Sequence, residues 1–171
     1  CKIVAMIFNS FTSEGPVLMY SNYVRMEGLE VIKIYLYYFG YSSSQNKSSN
    51  NYYRYTEYHG SISMEDRDKN KKAFNTTNNI DGKIIKIILI SPAGSEGISL
   101  KNVRQVHILE PYWNEVRIDQ LIGRAIRQCS HADLPINERN VEVFRYIAIR
   151  KNSKETTDQN ILNLAKKKNE L

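Results

Sequence analysis

Three largely apolar runs punctuate the chain: Val17-Leu18-Met19-Tyr20, Ile84 to Ile90 interrupted by Lys86, and Val103 to Leu109, which also carries Arg104, Gln105 and His107. Each has the length and composition of a strand buried on both faces. Val141 to Ile149 predicts a last strand, and the aromatic stretch Tyr52 to Tyr58, ending at His59-Gly60, predicts another. Between these runs the periodicity lengthens. After Asn22, the residues Val24, Leu29, Val31, Ile32, Tyr35, Leu36 and Phe39 give one broad apolar face of a helix that Gly40 ends. Ser63 with Asp66 three residues on forms a capping box for a helix from about Met64 to Phe74, and Thr156 with Gln159 caps another to about Lys168. Ile3 to Phe8, followed by polar residues, reads as an incoming segment closed by a turn at Gly15-Pro16. YSSSQNKSSNN is Ser/Asn-rich, aperiodic and read as a surface loop without chemistry.

Strands alternating with helices predict an α/β fold, an open, mainly parallel sheet with helices on both faces. At 171 residues the chain fits a single domain, with its core at about 15–150, a flexible loop at 42–51 and a C-terminal helix at 153–169. In such sheets ligands gather at the carboxyl ends of the strands. Asn22, His59, Ser91 to Gly97 and Glu110 to Asn114 all follow predicted strands.

The most chemically loaded stretch is EVRIDQLIGRAIR, Glu115 to Arg127. On a helix, at ~100° per residue, Arg117, Gln120, Arg124 and Arg127 fall within an arc of roughly 80°, and Ile118, Leu121, Ile122, Ala125 and Ile126 lie opposite. The polar arc holds three guanidinium groups and no carboxylate. Arginine grips phosphate oxygens through a planar fork that keeps its charge, which suits a polyphosphate. A solvated basic face is the competing reading of the same geometry.

Composition narrows the class. Hydrophobic residues at 42% and charged residues at 25% exclude disordered and fibrous chains. A net charge of +6 permits an anionic partner such as nucleic acid. No run approaches the ~20 apolar residues of a membrane span, so no membrane partner is expected. Cys1 and Cys129 make neither a disulfide framework nor, with the histidines, a metal-ligand spacing, so a reducing, intracellular setting is expected. A chain opening on Cys1 reads as an excised piece of something longer. The dehydrogenase fingerprint G-x-G-x-x-G is missing.

QLIGRAIR fits the Q-x-x-G-R-x-x-R pattern and resembles motif VI of superfamily 2 helicases. GPVLMYSNYVRMEGLEVIKIYLYYFGY resembles motif IV, YHGSISMEDRDKNKKAF the segment after it, and ILISPAGSEGISLKNVRQVHILEPYWN motif V with its following strand. The order is that of the C-terminal RecA-like half of such helicases. YSNYV, AGSEGISL, EPYWN and GRAIRQCSH are similar to large DNA virus helicases related to poxviral nucleoside triphosphatase I and the early transcription factor ATPase subunit, and the Asn, Lys, Tyr and Ile bias fits an AT-rich viral genome.

The resemblance implies the second motor domain of an ATP-dependent helicase or translocase, serving viral transcription. By that likeness Arg127, as the main finger, with Arg124 and Gln120, meets the γ-phosphate of ATP held on a preceding domain. Gly94, Ser95, Glu96 and Gly97 couple nucleotide to nucleic acid, although Glu96 itself would repel phosphate. Ser21, Asn22, His59, Gly60 and Ser91 contact the nucleic-acid backbone, DNA rather than RNA, independently of sequence. ATP and Mg2+ are the implied cofactors. With no G-x-x-x-x-G-K-[ST] loop and no D-E carboxylate pair here, the phosphate cradle and magnesium ligands are expected on an N-terminal RecA-like domain absent from this chain, which alone should not hydrolyse ATP. That domain and a viral RNA polymerase are the implied partners, in the host cytoplasm or virion. Bland competitors stand beside these roles: His59 as a helix cap, Arg67 paired with Glu65 or Asp68, Arg117 as part of a solvated basic face, Trp113 as a packing residue, Lys166 to Lys168 as solvated charge. The alternative for the whole is a non-catalytic RecA-like nucleic-acid or protein-binding module.

Overall fold

The chain was analysed as a computed structural model that describes residues 1–46, 53–92, 98–125, 127, 129–151 and 155–169. Among these, six strands form one sheet: β1 (Val17–Tyr20), β2 (Tyr41–Ser43), β3 (Tyr53–Tyr58), β4 (Ile87–Ile90), β5 (Gln105–Ile108) and β6 (Glu142–Arg145). They lie in the order β2-β3-β4-β1-β5-β6, and every neighbouring pair is parallel. The expectation of a mainly parallel sheet is met. Strands β1, β4 and β5 are buried along their whole length; β1 and β4 are continuously apolar, as a sheet covered on both sides requires, while β5 buries Gln105 and His107 as well.

Alternation of side chains sends each strand's residues to two separate cores. On one face Val17, Met19, Ile87 and Leu89 meet helices α1 (Lys2–Phe11) and α2 (Leu29–Tyr38) through Ile3, Met6, Ile7, Leu29, Ile32 and Leu36. On the other, Leu18, Tyr20, Ile88, Ile90, Val106 and Ile108 meet α3 (Met64–Phe74) through Phe74 and α4 (Glu115–Ala125) through Ile118 and Leu121. A last helix, α5 (Thr157–Asn169), carries the C-terminal segment, its Ala165 buried. Among the described residues no helix is long and apolar enough to cross a membrane.

The caps read from sequence are in place. Ser63 Oγ accepts the Asp66 amide at 3.0 Å. Thr156 and Gln159 exchange hydrogen bonds, the Thr156 amide to Gln159 Oε1 at 2.9 Å and the Gln159 amide to Thr156 Oγ1 at 3.3 Å. Gly40 takes φ +82 just past α2, a left-handed position that a residue with a Cβ adopts at a cost.

Three expectations need correction. Residues 1–15 are not a loose incoming segment, because Ile3, Met6, Ile7 and Ser10 recur at helical spacing and pack into the core, so the core begins well before residue 15. Ser10 is tolerated there because its hydroxyl donates to the Ile7 carbonyl at 2.7 Å. The loop expected at 42–51 begins as the edge strand β2, and 47–52 lie outside the described residues. Val141 to Ile149 yields only a four-residue edge strand, largely exposed, since nothing pairs on its outer side among the described residues.

Two polar assemblies fix connections. Asn79, fully enclosed, donates to the Phe74 and Ile85 carbonyls and accepts from the Ile84 and Ile85 amides, so one side chain organises the entry to β4. On the α1 face, Asn9 donates to the Tyr146 hydroxyl (2.9 Å), which donates to His107 Nδ1 (2.9 Å). His107 Nε2 then donates to Gln105 Oε1 (3.1 Å). His107 stacks on Phe144 at 4.8 Å and 6°, and burial pushes its pKa down to about 4.

Candidate functional site

Register alone assembles the candidate residues. Tyr58, Ile90, Tyr20 and Ile108 are paired across β3, β4, β1 and β5, so the residues that follow, His59, Ser91, Ser21 and Leu109, form the next row along the carboxyl edge. With strands ~4.8 Å apart, the row spans roughly 14 Å. Asn22, Gly60 and Glu110 lie one step further out.

The row is not uniformly open. Ser21 is buried, with its hydroxyl donating to Glu110 Oε1 at 3.0 Å and accepting from the Tyr23 amide at 3.1 Å. The Asn22 amide donates to Glu110 Oε2 at 3.0 Å, and its side-chain oxygen accepts from the Tyr20 hydroxyl at 3.1 Å, which leaves the side-chain NH2 for a ligand. His59 is buried. Its Nδ1 accepts from the Ser61 amide at 3.3 Å, so Nε2 carries the proton and donates to Glu57 Oε2 at 3.0 Å. The imidazole therefore braces its own turn, while Gly60 beside it is exposed. Burial would raise the Glu57 carboxyl, but hydrogen bonds from His59 and from Lys33 at 3.1 Å outweigh it and hold Glu57 below the usual range. The Ser91 hydroxyl is buried and makes no hydrogen bond, an unspent donor and acceptor at the end of β4.

Sequence reasoning placed Glu110 after a predicted strand but gave it no role. It is partly buried at the exits of β1 and β5, and desolvation lifts its carboxyl above the ordinary range despite the bonds from Asn22 and Ser21. The available signal was an acid placed directly after a buried strand, where a free carboxylate is costly unless it has work to do.

On α4 the predicted arc divides. Arg117 turns back onto Tyr112, its guanidinium 5.4 Å from the ring centre and Nη1 donating to the hydroxyl at 3.3 Å, so a local contact occupies it. Gln120 is exposed and Arg124 half-buried in the last turns, and Arg127 stands exposed beyond the helix end, its Nη1 donating to Ser99 Oγ at 2.6 Å. Neither Arg124 nor Arg127 has a carboxylate partner among the described residues. The segment following the β4 loop is sewn to this end of α4: the Leu100 amide donates to the Arg124 carbonyl (3.4 Å), the Asn102 amide to the Ser130 carbonyl (2.9 Å), and His131 Nε2 to the Val103 carbonyl (2.7 Å). Gly94, Ser95, Glu96 and Gly97 lie outside the described residues. Trp113 is half exposed, with Lys168 Nζ 4.3 Å above its ring.

The donor set at the end of α4, two unpaired guanidinium groups and an amide, fits an anion with several oxygens, such as a nucleotide polyphosphate. Among the described residues no group of three or more His, Cys, Asp or Glu stands close enough to hold a metal ion.

Residues 2–129 match the helicase conserved C-terminal domain model. The chain belongs to that family. This helicase domain is 44% identical over 174 residues to the putative ATP-dependent RNA helicase R350 of Acanthamoeba polyphaga mimivirus, covering 98% of this chain and 21% of that protein. It is 37% identical to the termination factor NPH-I homolog of African swine fever virus (86% of this chain, 26% of the relative) and 37% identical to nucleoside triphosphatase I of Choristoneura fumiferana entomopoxvirus (98% and 24%). The helicase domain thus spans about a fifth to a quarter of the length of these relatives. The C-terminal part of the Fun30 ATPase domain has the same fold, with a TM-score of 0.70 at 21% identity, covering 96% of this chain and 45% of that one.

Proposed function

We propose that this domain is the second motor domain of a viral nucleic-acid-dependent ATPase, and that it completes an ATP site held on a preceding RecA-like domain. The observation that carries the reading is the set Gln120, Arg124 and Arg127, with no carboxylate partner among the described residues, whose helix end is tied through Ser99, Leu100 and Asn102 to the segment that follows the β4 loop. A guanidinium offered from a second domain neutralises charge developing on the γ-phosphate only when the two domains close, so hydrolysis and movement become one event. Arg127, the more exposed arginine, is the main finger, Arg124 supports it, and Gln120 hydrogen-bonds near the same phosphate. Magnesium belongs to the other domain's carboxylates; bound there, it would offset charge on the phosphate oxygens.

Asn22 and Gly60 face the nucleic-acid backbone along the carboxyl edge, with Ser21 and His59 holding their turns and the buried Ser91 hydroxyl behind them. The coupling role that the likeness gives to Gly94, Ser95, Glu96 and Gly97 falls outside the described residues. The printed names of the relatives, an RNA helicase and a termination factor, support a nucleic-acid partner and a role in viral transcription.

The test is ATP turnover by the full-length protein with and without DNA or RNA. Arg127→Ala should lower stimulated turnover on the order of 10³-fold with nucleic-acid affinity retained, while Lys167→Ala behaves as wild type. Unchanged turnover with weakened binding would instead mark a non-catalytic module whose arginines hold backbone phosphates.

A further inference from the structure

The loop that leaves β1 is closed upon itself. The Leu29 amide donates to the Tyr23 carbonyl at 3.0 Å, the Glu30 amide to the Val24 carbonyl at 2.9 Å and the Gly28 amide to the Arg25 carbonyl at 3.3 Å. Met26 sits at φ +61, a left-handed strain that persists only where the surroundings enforce it. A Cβ at Gly28 would lie 1.9 Å from the Tyr23 carbonyl oxygen, so no side chain fits there. The closure pushes three residues outward: Tyr23 at 57% exposure, Met26 at 85%, and Arg25, exposed and without an ion pair among the described residues. An aromatic ring beside an unpaired guanidinium suits a nucleic-acid strand, the ring meeting a base or sugar and the cation a phosphate.

Such a crest is useful only if it is aimed. The closed loop leaves the sheet through Ser21 and Asn22, and both are held by Glu110, which stands 88 and 89 positions away in sequence on the neighbouring strand's exit. The same strand exit runs through Tyr112 directly into α4, where Gln120 and Arg124 lie. We propose that Glu110 is a positioning residue that fixes the Tyr23, Arg25 and Met26 crest as a contact for the nucleic-acid backbone and joins it rigidly to the α4 arginines. This rests on the nucleic-acid reading given above. One carboxylate, accepting from the hydroxyl of one residue and the amide of the next, sets both the tilt and the twist of the loop.

The experiment is a double-mutant cycle in the full-length protein, reading the nucleic-acid concentration that gives half-maximal ATPase stimulation. Glu110→Ala should raise that concentration about tenfold with turnover at saturation within twofold, and Glu110→Gln should recover most of the loss. Arg25→Ala should also raise it and reduce the salt dependence of binding by about one unit of slope. In the Arg25→Ala background the effect of Glu110→Ala should shrink to less than threefold, because the residue acts through the crest. Full additivity of the two changes would overturn the proposal. Hydrogen exchange reads the clasp without reference to activity: Glu110→Ala should expose the Asn22 and Tyr23 amides, and unchanged protection there would equally overturn it. Wild-type protein that shows the protected amides but no nucleic-acid stimulation would remove the proposed function and leave the clasp standing.

Discussion

Asn79 shows what one enclosed side chain can hold. Its four hydrogen bonds join the end of α3 to the start of β4, and replacement by Ala leaves two carbonyls and two amides to find other partners. Asn79→Ala should therefore cost about 3 kcal/mol, measured by urea unfolding, a large share of a marginal stability. Asp is the informative companion change, since it keeps the acceptor for Ile84 and Ile85 and loses the donors to Phe74 and Ile85. Arg127 works in the opposite way. It is exposed and its side chain bonds only Ser99 among the described residues, so Arg127→Ala should leave unfolding within about 0.5 kcal/mol of wild type, and any loss of turnover would then be chemical rather than structural.

Strand β5 carries a pH dependence of its own. His107 titrates in the folded chain at about 4, below its ordinary 6.5, because burial disfavours the imidazolium. The unfolded chain binds that proton first as pH falls. Stability is therefore fully present above about pH 6.5, declines by up to about 1.4 kcal/mol per pH unit below it, and levels near pH 4 after a loss of roughly 3 kcal/mol. His107→Gln should flatten that limb of a stability-against-pH curve. In α5, Thr156→Ala removes the reciprocal cap with Gln159 and should cost about 1 kcal/mol, visible as faster exchange in the first turn. These elements also show what a sequence can reveal. The buried runs of β1, β4 and β5 and the caps at Ser63 and Thr156 are local signals and were legible. Helix α1 was not, because Cys1 supplies no side-chain cap and Ser10 puts a polar letter on the buried stripe. The candidate site divided along the same line. Gln120, Arg124 and Arg127 are written in eight consecutive letters, whereas Glu110 finds Ser21 and Asn22 across nearly ninety positions, and no local pattern encodes such a pair.

Across the assembled domain, protection against hydrogen exchange should follow burial. The amides of β1 and β4, covered on both faces and flanked on both sides, should exchange slowest, and those of the edge strand β6 fastest among the strands. Equal protection of β6 would show that another element covers it. The order of the strands has a further consequence, for synthesis. Val17 pairs with Ile87 and with Gln105, which lie 70 and 88 positions later, so β1 leaves the ribosome long before either neighbour exists. At ~5–20 residues per second, that apolar strand waits roughly 4–14 seconds for its first central partner. During that interval Val17 to Tyr20 is an unpaired sticky edge, and chaperones are the natural custodians of a chain whose middle cannot close until most of it has been made.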